Sequence, residues 1–153
     1  MTEYKVQIKG EIYSYPAGTS LEKIAQDHKE ALDVLLVKVN GRLTELHKAL
    51  HKDCSLELIT LEDGIGAKTY ERSVIFLLLK AIRDIFGEKA SPVVEFSTGN
   101  GLFIRLPYFS PTKEQIDKIR ERMEELVKAG LSIKKTSMNT EDALGLFHNR
   151  GMK

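Results

Sequence analysis

Tryptophan is absent from these 153 residues and cysteine occurs once, as Cys54. No disulfide can therefore form within the chain, which excludes the framework of a small disulfide-stapled domain. Charge of one sign is also missing, since 23 Lys and Arg stand against 22 Asp and Glu for a net +1. The summed field gives no general attraction to DNA or to an anionic membrane, and neither is an expected partner. Long apolar runs are lacking too: the longest, Val74 to Leu79, has six residues, against about 20 for a membrane-spanning helix. No N-terminal apolar stretch has the form of a signal peptide. The expected compartment is the cytoplasm.

What is present is enough for two small cores, with 42% hydrophobic residues. The expected class is α+β, in two modules: residues 1–62, a linker at 63–69, and residues 70–153. In the first, Tyr4, Val6 and Ile8 alternate with polar residues, Gly10 supplies a turn, and Ile12, Tyr13 and Tyr15 resume a β-prone run. This predicts a hairpin. Thr19 with Glu22 reads as a capping box opening a short helix through Leu21, Ile24 and Ala25. Val34 to Val39 reads as a strand, Asn40-Gly41 as a turn, Arg42 to Leu46 as the return strand, and Leu56, Leu58 and Thr60 as the last one.

That order is the order of a β-grasp domain. The segments Tyr15-Pro16-Ala17-Gly18-Thr19-Ser20 and Val37-Lys38-Val39-Asn40-Gly41-Arg42 resemble those of the TGS domain. TGS domains accompany threonyl-tRNA synthetases, stringent-response nucleotide synthetases, some GTPases and nucleoside kinase-like proteins, so the domain alone selects no function.

Three features invite a chemical reading. His47 and His51 are four apart with Cys54 following, a spacing that would align two imidazoles for a metal only on a helix. Lys48, Lys52 and Asp53 surround them, and a solvated connection is the reading preferred. His28, between Asp27 and Lys29, is expected at the surface. Asp63-Gly64-Ile65-Gly66-Ala67-Lys68-Thr69 has the look of a phosphate loop, but Ala67 stands where glycine must precede the lysine and Glu62 where the first glycine belongs. A hinge between modules is expected there.

In the second module, Tyr70 to Phe86 reads as one helix whose stripe of Tyr70, Val74, Leu77, Leu78, Ala81, Ile82 and Ile85 is widened by Ile75, Phe76 and Leu79. The expectation is a central buried helix. Gly87 offers its stop, Val93 to Phe96 and Leu102 to Leu106 a second hairpin around Thr98-Gly99-Asn100-Gly101. Thr112 and Gln115 form a capping box for a long helix through Ile116, Ile119, Met123, Leu126 and Val127, ending near Gly130. Leu131 and Ile133 suggest a short strand, and Asn139 caps a last helix from Thr140 to His148.

This module resembles the start of the editing domain of bacterial-type threonyl-tRNA synthetases. The residues that carry the likeness are Arg72-Ser73, Asn100-Gly101-Leu102-Phe103, Arg122-Met123-Glu124-Glu125-Leu126, and Ile133-Lys134-Lys135 leading to Phe147-His148-Asn149-Arg150-Gly151. The resemblance implies two histidines four apart on the apolar helix, paired with a cysteine and a histidine further on, which hold zinc in some members and position a misacylated ester and water in others. At the two helix positions this chain has Phe76 and Lys80. Phenylalanine has no lone pair, and a lysine ammonium, ordinarily protonated up to about pH 10, is a poor base. The downstream pair is not within these residues, so no catalytic residue and no metal site is expected.

One group that resembles this combination joins a TGS domain and a degenerate editing-like domain to a uridine kinase-like domain. The resemblance implies a non-catalytic accessory or ligand-binding region of such a nucleoside kinase, with ATP and Mg needed only by the downstream kinase domain. The alternatives are an N-terminal fragment of a divergent threonyl-tRNA synthetase and a free-standing TGS interaction module. The ligand in view is RNA or a nucleotide, and the balanced charge predicts weak, salt-sensitive tRNA binding at most. Because the likeness runs up to Gly151, a truncated parent is expected.

Overall fold

The computed structural model describes residues 2–29, 33–87, 90–99, 101–131, 133 and 136–149. It divides into two compact units, Met1–Val74 and Ile75–Lys153. Each is described by itself.

The first unit opens with β1 (Glu3–Ile8) and β2 (Glu11–Pro16), antiparallel with Val6 opposite Tyr13. Lys9 and Gly10 turn between them at φ of 51° and 90°, the left-handed pair that matches the twist of a two-residue hairpin. Helix α1 (Leu21–Asp27) follows, then β3 (Leu36–Val39), β4 (Arg42–Thr44) and β5 (Cys54–Ile59). Asn40 and Gly41, at φ of 50° and 80°, make the β3–β4 turn. The sheet order is β2-β1-β5-β3-β4, with β5 parallel to β1 and antiparallel to β3. Alternate residues of β1, β3 and β5, one face of α1 and Leu50 meet in a core of Val6, Ile8, Leu21, Ile24, Val37, Leu50, Cys54 and Leu56.

Three expectations shift here. The cap of α1 is Ser20, whose Oγ accepts the Lys23 N–H at 3.1 Å, while Thr19 donates its hydroxyl to the Pro16 carbonyl at 2.7 Å and so is tied to the preceding turn. β3 begins at Leu36 rather than Val34. β4 ends at Thr44 rather than Leu46, because the chain turns at once, with the Lys48 N–H on the Glu45 carbonyl at 3.2 Å.

Helix α2 (Gly64–Phe86) begins six residues before Tyr70, so the stretch read as a hinge is helical from Gly64 onward and the division between units falls inside α2. Two glycines in a first turn disfavour helix by propensity alone. Packing decides otherwise: a Cβ at Gly66 would stand 1.8 Å from the Thr60 carbonyl oxygen, so only glycine lets the helix approach the end of β5. Asp63 anchors the start, its carbonyl accepting from Ala67 at 2.8 Å and its carboxylate from the Thr60 N–H at 2.8 Å.

The expected burial of α2 is overturned along most of its length. Of its residues only Gly66, Ala81 and Ile82 are buried, while Tyr70, Val74 and Phe76 are 51%, 37% and 58% exposed. An apolar stripe states what a helix offers for packing and not what lies against it.

In the second unit, β6 (Val93–Thr98) and β7 (Gly101–Arg105) form a two-stranded sheet with a register shift between Val94 and Phe96. Helix α3 (Lys113–Lys128) is capped as expected: Gln115 donates its N–H to the Thr112 Oγ1 at 3.3 Å and its side chain accepts the Thr112 N–H at 2.8 Å. Helix α4 (Thr140–Asn149) starts on Asn139, whose Oδ1 accepts from the Asp142 N–H at 2.8 Å. The core is Ala81, Ile82, Ala90, Ile119 and Leu126, with Leu77, Phe86 and Met123 partly buried against it. Leu131 and Ile133 are exposed, and the rest of the short strand expected there, with residue 132 between them, lies outside the described residues. Asn100, Lys134, Lys135, Arg150 and Gly151 lie outside the described residues. Among those described, no helix is long and apolar enough to cross a membrane.

Candidate functional site

The positions where the resemblance implies histidines lie on one face of α2, since four residues bring Phe76 and Lys80 one turn apart. Phe76 stands out from the helix, more than half exposed. Lys80 turns its ammonium to Asp84, the next residue along that face. Asp84 is the centre of the arrangement: its Oδ2 also accepts from Arg122 Nε at 3.0 Å and Nη2 at 2.9 Å, tying α2 to α3 within the second unit. Arg122 Nη1 reaches Glu125 at 2.8 Å.

Two cations and two carboxylates thus close on one another with no formal charge left over. The Lys80 ammonium, ahead of the Arg122 guanidinium, holds the Asp84 carboxyl below the ordinary carboxylate range, with partial burial opposing. Glu125 first and Asp84 second raise the Arg122 guanidinium further above its ordinary value.

Zinc does not fit this place. Phe76 offers no donor, and Lys80 is engaged with Asp84. Among the described residues no group of three His, Cys, Asp or Glu side chains is placed to hold a metal ion. What the arrangement does is join two helices, through Asp84 on α2 and Arg122 on α3.

The other sequence candidates are scattered. His47 and His51 are exposed on a non-helical segment, so their spacing does not align the imidazoles, while Cys54 points into the core on β5. Burial raises the Cys54 thiol above its usual pKa, with Asp53 adding to the shift, which makes it a poor thiolate. His28 departs from the bare surface position expected: it is half-buried, its ring 4.2 Å from that of Tyr13 and its Nε2 2.9 Å from the Tyr15 hydroxyl. Two tyrosines two apart on a strand share a face, and that was the signal for this cluster. The i, i+4 spacing of Lys80 and Asp84 marked one pair, but Arg122 is 38 residues from Asp84, beyond any local pattern.

No family model matches the chain. It is similar to the threonine–tRNA ligase of Desulforamulus reducens, at 28% identity over 147 residues and 94% of this chain. The corresponding ligase of Symbiobacterium thermophilum is 30% identical over 145 residues and 93% of the chain, and that of Thermotoga maritima 27% over 161 residues and 97%. The chain spans only 23%, 22% and 24% of the lengths of these three relatives. Its homologues are therefore threonyl-tRNA synthetases, matched across nearly all of this chain and across less than a quarter of theirs.

Proposed function

We propose that the chain is a non-catalytic accessory region of a threonyl-tRNA synthetase-like protein, made of a TGS-type β-grasp unit and an editing-like unit without hydrolytic residues, and that it contacts tRNA. One observation carries this: the likeness to synthetases extends over 93–97% of the chain, so it takes in both units together. The sheet order β2-β1-β5-β3-β4, with α1 between the first hairpin and the rest, supports the β-grasp reading. Phe76 and Lys80 support the loss of hydrolysis, because neither supplies the lone pair that activating water requires.

A nucleoside kinase parent, with its ATP and Mg, rests on those same two positions and finds no support among these relatives. The synthetase-like parent therefore takes its place. The reading frame after Lys153 separates the two, since a kinase parent requires a GxxxxGK[ST] loop there. Action in the cytoplasm belongs to the same proposal.

Titration of the purified chain into a labelled threonine-accepting tRNA tests the reading. With a net charge of +1, binding is expected in the micromolar range or weaker at physiological salt and to fall steeply as salt rises. Absence of binding even at low salt would overturn it.

A further inference from the structure

The connection from β4 to β5, residues 45–53, holds its basic side chains together in its middle, between Glu45 at one end and Asp53 at the other. Within six residues it carries His47, Lys48, His51 and Lys52, all exposed, and none of the four pairs with a carboxylate among the described residues. The loop is nonetheless held firmly. Leu50 is buried in the core of the unit at 3% exposure. The Leu46, Lys48 and Leu50 carbonyls accept from Glu22, Leu21 and Gly18, each at 2.8 Å, and the Leu50 N–H donates to Thr19 at 2.8 Å. Ala49 makes an isolated bridge with Ser20. The backbone is thus fixed from inside while the basic side chains project to solvent on either side of one apolar anchor.

Such a loop loses little backbone freedom when it binds, which is the cost that weakens most contacts by mobile segments. Of the two carboxylates that flank it, Glu45 and Asp53, the second accepts the Lys5 backbone N–H at 2.9 Å and keeps its charge, so the attraction to an anion rests on residues 47–52 alone. Lys48 and Lys52 supply point charges, and His47 and His51 supply ring N–H donors, to oxygens spaced along a polyanion. We infer that the 47–52 loop is the surface through which this chain touches the phosphate backbone of RNA, an inference that rests on the tRNA-contacting reading above and gives it a place.

The test is the salt dependence of tRNA binding by the whole chain, by the double variant Lys48→Ala/Lys52→Ala, and by a control, Lys113→Ala/Lys128→Ala, on the exposed side of α3. Loss of two phosphate contacts lowers the slope of log affinity against log salt by about 1.5 to 2 in the loop variant. The control keeps the slope of the parent chain. Circular dichroism checks that the exposed substitutions leave the fold unchanged. An unchanged slope in the loop variant, while the parent chain binds, overturns this inference and leaves the proposed function standing. Failure of the parent chain to bind overturns both. Competition by polyglutamate as effective as by RNA at equal charge overturns RNA as the partner.

Discussion

Asp84 is where the chemistry of the second unit is concentrated, and its behaviour with pH is fixed by its partners. Lys80 and Arg122 lower its pKa in the fold, so the folded chain holds the carboxylate charged more strongly than the unfolded chain does. That contribution is fully present above the unfolded carboxylate value of about 4 and is lost as pH falls through the lower folded value. Asp84→Asn removes it and leaves Lys80 and Arg122 with Glu125, on Arg122, as the remaining carboxylate of the cluster. The variant is expected to be less stable than the parent chain at pH 7, and the gap to shrink at pH 3. Urea midpoints at the two values measure this, and a gap that stays constant would show that charge coupling is not what Asp84 provides. The i, i+4 pair of Lys80 and Asp84 was legible in the sequence. Asp84 and Arg122 were not legible as partners, because a contact between residues 38 apart leaves no periodic trace.

At the scale of elements, the hairpin turns and the cap of α3 were the readable part, while the cap of α1 fell one residue later than its spacing suggested. Lys9-Gly10 and Asn40-Gly41 adopt the left-handed backbone that their hairpins need, and Thr112 with Gln115 forms its capping box where the spacing put it. The first turns of α2 went the other way, since Gly64 and Gly66 look like a loop until the end of β5 is beside them. The two glycines should therefore answer differently to substitution. Gly66→Ala forces a methyl group onto the Thr60 carbonyl and is expected to cost about 1–3 kcal/mol in chemical denaturation. Gly64, with nothing within 4 Å of its would-be Cβ, is expected to tolerate alanine with a gain of about 0.5–1 kcal/mol. Equal effects at the two sites would contradict the close approach of helix and strand.

At the scale of the whole molecule, the two cores expected from composition are there, one in each unit. The likeness to threonyl-tRNA synthetases runs across both. Burial was the whole-molecule property that the sequence concealed, since the apolar face of α2 around Tyr70, Val74 and Phe76 is largely exposed. Function follows the same division. The likeness follows the order of elements along the chain, whereas catalysis depends on a few specific side chains, and the proposed loss of hydrolysis rests on Phe76 and Lys80. The most direct measurement is the deacylation of a mischarged threonine-accepting tRNA by the purified chain, with and without added zinc. The account predicts release of the amino acid at the spontaneous rate in both cases; turnover above that rate would contradict it.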